Sequence, residues 1–170
     1  MDKQEINTKE HSMLNNYSVK NVKTFMGMDT HGFNASLYCE NKKVADLIDD
    51  GSGGDMMIYW KDLDQPRVMV TTKNILGEEV KQRMTKQENA FFKQFKDHLE
   101  AITFLYRMID NYENEKYLKR LCKNKTILEL HSHNGEEFIA FSRKYSPEYA
   151  EWLRKKYGDD FKEIINERYL

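Results

Sequence analysis

Phe33, Ala35, Leu37 and Cys39 alternate with Asn34, Ser36, Tyr38 and Glu40, a period of two that predicts a strand with one buried face. Upstream, VKNVKTFM (19–26) is rich in β-branched and aromatic residues and reads as a partner strand, set off by the turn-rich GMDTHG (27–32). Downstream, Asn41-Lys42-Lys43 is a short polar turn, and Lys43–Asp49 returns as a third strand. The glycines of Asp50-Gly51-Ser52-Gly53-Gly54 favour a loop over regular structure, and DMMIYW (55–60) reads as a fourth strand. Four short strands joined by tight turns predict an antiparallel meander.

Beyond Pro66 the pattern changes. RVMVTT (67–72) reads as extended and EEVKQRMTK (78–86) as a helical turn. From Lys86 to Lys123 no Gly or Pro interrupts, and Phe91, Phe92, Phe95, Leu99, Ile102, Leu105, Met108, Ile109 and Tyr112 recur every three or four residues. The expectation is an amphipathic helix of about 50 Å, continuous or bent near Asp110-Asn111. His98 lies at the border of its apolar stripe. TILEL (126–130), the turn signal Asn134-Gly135 and EFIAF (137–141) predict a hairpin. Ser146-Pro147-Glu148 starts a helix with apolar face Tyr149, Trp152, Leu153 and Tyr157, ended by Gly158; a last helix is expected over Asp159–Arg168, burying Phe161, Ile164 and Ile165. The fold class is therefore α+β: a four-stranded antiparallel meander, a long amphipathic helix, a second β-hairpin and two C-terminal helices.

The chain has 170 residues, 39% hydrophobic and 12% aromatic, which is too rich in large apolar groups for a disordered chain. It is an ordinary length for one domain, so one α+β domain is expected over 17–170, after a flexible polar tail at 1–16. No apolar run approaches the roughly 20 residues of a membrane-spanning helix. The polar start lacks an export signal, so a cytoplasmic location and no membrane partner are expected. Cys39 and Cys122 form no C-x-x-C pair. Lys+Arg (27) nearly balance Asp+Glu (28), yet the charges are unevenly placed: residues 1–64 carry 7 Lys and 11 acids, residues 65–170 carry 20 basic and 17 acidic residues. The near-zero total thus combines an acidic part and a basic part.

Three groups are candidates for function. Asp49, Asp50 and Asp55 flank a glycine-rich loop, an acidic contact loop whose oxygens are of the type that binds Ca²⁺ or Mg²⁺; the plainer reading is a hairpin connection. His131 and His133 sit two apart at a strand end and, with Glu129, would form a row of metal-ligand types, though a pair does not close a four-ligand site. The third group is basic. Lys116, Lys119, Arg120 and Lys123 share one side of the long helix; Lys125, Arg143, Lys144, Arg154, Lys155 and Lys156 lie in the adjoining elements. With Tyr112, Tyr117, Tyr145 and Tyr157 interleaved, they suit phosphates or an acidic protein surface. Cys39 is placed on a buried strand face, whereas Cys122, among Lys119, Arg120, Lys123 and Lys125, is expected to have a lowered pKa. No base or oxyanion hole accompanies either thiol, and G-x-S-x-G, H-E-x-x-H and G-x-G-x-x-G are missing. No catalytic residue, cofactor or resident metal is assigned.

Lys23-Thr24-Phe25, Gly27-Met28, Gly32-Phe33-Asn34-Ala35, Leu37-Tyr38, Lys43-Val44-Ala45, Asp49-Asp50-Gly51 and Gly53-Gly54 form a pattern that resembles small proteins of Firmicutes prophages and conjugative elements. The ending resembles them too, in Cys122-Lys123, Lys125-Thr126, Tyr145-Ser146-Pro147-Glu148, Lys156-Tyr157-Gly158-Asp159 and Ile164-Ile165-Asn166-Glu167-Arg168. The resemblance implies context: accessory proteins of mobile elements are often inhibitors of host defence, including anti-CRISPR proteins that bind Cas9. It implies a non-catalytic protein of the bacterial cytoplasm whose partner is a host defence nuclease or its guide complex. The residue pattern leaves two alternatives open, a nucleic-acid-binding accessory protein using Lys116–Lys125 and a divalent-metal-dependent enzyme at Asp49–Asp55.

Overall fold

The computed structural model describes residues 16–74, 76–135 and 137–170. The tail expected at 1–16 lies outside the described residues except for Asn16. The fold is α+β. The chain divides into two compact units, one ending at Tyr112 and the other spanning Glu113–Leu170.

The first unit holds the meander: β1 (Tyr17–Met26), β2 (His31–Cys39), β3 (Lys42–Asp49) and β4 (Met57–Trp60), antiparallel in the order β1-β2-β3-β4. The alternation in β2 is real, with Phe33, Ala35 and Leu37 buried. Two irregularities modify it. In β1, Asn21 takes a positive φ of 56° where the register with β2 shifts between Lys20 and Lys23. The added residue lets Val19 and Val22, three apart, both point inward. A shift between Leu37 and Tyr38 accompanies burial of the adjacent Val44 and Ala45. The β2–β3 turn is Glu40-Asn41, with φ of 49° and 65°, a left-handed pair that suits the twist of a hairpin.

Residues 67–86 correct the helical reading of EEVKQRMTK. Val68–Lys73 (β5) and Glu79–Met84 (β6) form a separate antiparallel ribbon. Val80 and Met84, spaced by four, share a face in a helix and equally in a strand, so spacing alone does not distinguish them. The turn decides: the Asn74 side-chain oxygen accepts from the N–H groups of Leu76 and Glu78 (3.0 and 2.9 Å), and Gly77 has φ 80°. The long helix is also corrected. It breaks at Lys93–Asp97, not at Asp110-Asn111, into α1 (Lys86–Phe92) and α2 (His98–Cys122). Thr85 and Glu88 form a capping box on α1. Asp97 accepts from Glu100 N–H (2.8 Å), while the Glu100 carboxylate accepts from Lys96 N–H (2.7 Å), so α2 has its own start signal. Phe91, fully buried, lies 4.9–5.6 Å ring to ring from Tyr17, Trp60, Phe92 and Phe95. On α2 the buried positions are Ala101, Leu105, Ile109 and Leu118, and Leu99, expected inside, is 63% exposed.

The second unit is built on β7 (Thr126–Leu130), all five residues of which are buried between β8 (Ile139–Phe141) and β9 (Phe161–Ile164), in the order β8-β7-β9. The expected helix over Asp159–Arg168 is corrected: it is β9 between short 3-10 turns. Its Leu128↔Ile164 and Leu130↔Phe161 pairings supply β7's second edge, a long-range demand that local periodicity does not carry. Helix α3 (Pro147–Tyr157) starts and stops as expected, with the Ser146 hydroxyl accepting from Tyr149 N–H (3.2 Å) and Gly158 at φ 50°. It buries Tyr149, Ala150 and Leu153 against Leu128, Leu130 and Ile164, while Trp152 stays 50% exposed.

Candidate functional site

The acidic loop is organised by its own hydrogen bonds. Asp49 is buried, its Oδ1 accepting from Gly51 N–H (2.9 Å) and its Oδ2 from the Tyr106 hydroxyl (2.8 Å). Burial, and then the bond to Asp49, push the Tyr106 hydroxyl up to about 12. The Gly51 carbonyl accepts from Asp29 and Thr30 N–H (2.9 Å each), so the two glycine-bearing loops 27–30 and 50–54 meet backbone to backbone. A Cβ on Gly27 would lie 2.5 Å from the Gly51 Cα, which accounts for glycine on both sides of the contact. Asp50 is exposed and accepts from the Ser52 N–H and hydroxyl, bonds that hold its carboxyl below the usual range. Asp55 is exposed. Of the three carboxylates, then, Asp49 is a structural pin and does not face a partner.

The histidine row is not formed. His131 and His133 lie in a 3-10 turn after β7, because β8 pairs only as far as Leu128↔Ile139. Glu129 is buried and takes Lys162 (2.5 Å) and Arg168 (3.4 Å) as partners. His98 is exposed and stacks on Phe92 at 4.8 Å between centroids. Among the described residues, no group of three or more His, Cys, Asp or Glu is placed to hold a metal ion. The expectation for Cys122 is reversed: burial raises its thiol pKa, outweighing the Arg168 charge that lowers it. The lysines near it in sequence project to solvent.

The basic group separates into two sets. Lys116 pairs with Glu113 (3.0 Å), Arg154 with Glu167 (2.6 Å) and Lys155 with Glu151 (3.3 Å). These three are neutralised locally. Lys119, Arg120, Lys123, Lys125, Arg143 and Lys144 are exposed and in no ion pair among the described residues. They gather by construction: Lys119, Arg120 and Lys123 lie on the last turns of α2, Lys125 leads into β7, and the Thr126 hydroxyl donates to the Arg143 carbonyl (2.9 Å). Buried Asn166 ties the helix end to this strand. Its Oδ1 accepts from Ile127 N–H (2.8 Å), and its Nδ2 donates to the carbonyls of Cys122 (3.1 Å) and Lys125 (2.8 Å). The neighbouring rings are occupied from within: Lys119 lies over Tyr169, Arg120 over Tyr117 and Arg143 over Tyr149, at 4.5–5.5 Å. Tyr145 donates to Glu167 (3.1 Å).

Sequence reasoning missed one cationic group, Arg67, Lys73, Lys81 and Arg83 on the β5–β6 ribbon. Reading half of the ribbon as helix hid the pairing that places them together. Comparison with protein-family models, with curated proteins and with solved structures returns no match. No helix among the described residues is long and apolar enough to cross a membrane.

Proposed function

We propose that this chain is a non-catalytic accessory protein of a mobile element that binds and inhibits a host defence nuclease, Cas9 with its guide being the target its family resemblance implies. The observation that supports a polyanionic partner is the set Lys119, Arg120, Lys123, Lys125, Arg143 and Lys144, exposed and without carboxylate partners among the described residues. Such a surface is complementary to a guide-bearing nuclease and speeds encounter with it. Nucleic acid alone is the second reading. Base stacking, however, requires open ring faces, and Tyr117, Tyr149 and Tyr169 already carry the protein's own cations.

The test is target cleavage by Cas9–guide complexes of several orthologues, with gel filtration of the mixtures. Inhibition with a co-migrating complex is expected, weakened by Lys119→Glu with Arg120→Glu. Unchanged cleavage at excess protein across the orthologues overturns the reading. Binding to free DNA or RNA that is lost in the same variant, without inhibition, would favour the second.

A further inference from the structure

The β5–β6 ribbon has two chemically distinct faces. In an antiparallel pair, directly opposed residues share a face. One face carries Val68/Met84, Val70/Gln82 and Thr72/Val80. Val70, Thr72, Val80 and Met84 line a cavity of about 750 Å³ with Phe92 and Phe95, which turns this side toward its own unit; at the Lys73 end of the ribbon Thr71, Lys73 and Glu79 also line it, whereas Arg67, Met69, Lys81 and Arg83 do not. The opposite face carries Met69/Arg83, Thr71/Lys81 and Lys73/Glu79, all exposed, with exposed Arg67 directly before β5 at the Arg83 end. None of Arg67, Lys73, Lys81 and Arg83 is in an ion pair among the described residues. Glu79 is the single acid opposed to them on that face.

The geometry points to this outer face as a docking surface for duplex DNA, entered through the major groove. The argument is one of charge and dimensions. Six residues per strand at about 3.4 Å each give a ribbon of about 20 Å, and Arg83, Lys81 and Lys73 stand at successive levels about 7 Å apart. A B-form major groove, about 12 Å wide, admits a two-stranded ribbon, with one phosphate charge per roughly 1.7 Å of axis along its walls. Met69 and Thr71, between the cations, are suited to apolar and hydroxyl contact with base edges. A protein partner would need a buried anchor at the centre of the interface, and Met69, 59% exposed, is the one large apolar side chain in the opposed pairs of this face. Duplex RNA is disfavoured because its major groove is too deep and narrow for side chains to read.

The test is fluorescence anisotropy of the whole chain with a labelled 20-base-pair DNA duplex between 50 and 200 mM salt, with duplex RNA and polyglutamate as competitors. Neutralising three to four phosphates predicts a log–log salt slope of about −3, or roughly a 60-fold weakening over that range. Lys81→Gln with Arg83→Gln, both solvent-facing, should reduce the slope by about 2 while the circular dichroism stays that of the parent. No binding at 50 mM salt, an unchanged slope in this variant, or equal competition by RNA or polyglutamate overturns the proposal. So does binding lost in Lys119→Glu/Arg120→Glu but kept in the ribbon variant. Cleavage inhibition is read separately, so either proposal can fail without the other.

Discussion

The two compact units solve the problem of a small core in different ways. Up to Tyr112 the core is aromatic and centred on one side chain: Phe91 meets Tyr17, Trp60, Phe92 and Phe95 while the sheet supplies Val19, Leu37 and Leu47. From Glu113 onward the core is mostly aliphatic, Leu118, Ile127, Leu128, Leu153, Ile164 and Ile165, and it is cross-linked by buried polar groups. Thr126, Glu129 and Asn166 each bond a separate element there. A unit of this size buries a smaller fraction of its surface, and directed bonds add both stability and register where apolar area is limited. The difference bears on function, since the polar ties of the second unit are what bring Lys125 and Arg143 to the end of α2.

Phe91→Ala tests the aromatic side of this comparison and should have the largest effect. Truncating a fully buried phenylalanine costs about 3–5 kcal/mol through lost transfer energy and the cavity left behind. Urea denaturation followed by the fluorescence of Trp60 against that of a Trp60→Phe control measures it. A loss below about 1 kcal/mol, inside the range of an ordinary surface substitution, would show that Phe91 is not the centre of the core.

Asn166→Ala tests the polar side. It orphans the buried Ile127 N–H and leaves the Cys122 and Lys125 carbonyls without their donor. Unsatisfied buried groups cost about 1–3 kcal/mol each, so a loss of roughly 2–3 kcal/mol is expected. Hydrogen exchange locates it: amides of β7 should lose protection while those of β2 and β3 keep theirs. Equal loss in both sheets would break the comparison.

These contrasts also explain what the sequence shows and hides. The meander was legible because Phe33, Ala35 and Leu37 carry a local period, and α3 because Ser146, Pro147 and Gly158 mark its ends. The ribbon, the break at Lys93–Asp97 and β9 were not. Val80 and Met84 fit either period, Asp97 caps a helix from within an uninterrupted run, and Phe161–Ile164 becomes a strand because β7 has an edge to fill. The candidate site was half legible. The ten basic positions were visible, but the ion pairs that remove Lys116, Arg154 and Lys155 depend on Glu113, Glu167 and Glu151, of which Glu167 is distant in sequence. Asp49 was misread as a surface acid because its donor, Tyr106, lies 57 residues away.

Tyr106→Phe probes a polar tie of the second unit's kind within the first unit, and its effect at neutral pH should be the smallest. Losing the hydroxyl leaves Asp49 Oδ2 without that donor, while Oδ1 keeps Gly51 N–H, so a cost of about 1–2 kcal/mol is expected. The pH profile is more specific. The Tyr106 hydroxyl is raised from 10.0 to about 12 in the folded chain. The proton is therefore held more tightly folded than unfolded. The stability it contributes is full below pH 10 and is lost as pH rises toward 12. Tyr17 and Tyr169 are raised to about 12 as well, by burial first, so the parent should lose stability steeply over that interval. Tyr106→Phe should start lower at pH 7 and fall less steeply between pH 10 and 12, the two curves converging. Parallel curves would mean that Tyr106 holds Asp49 no more tightly than water does, and that the glycine contact between the two loops stands without it.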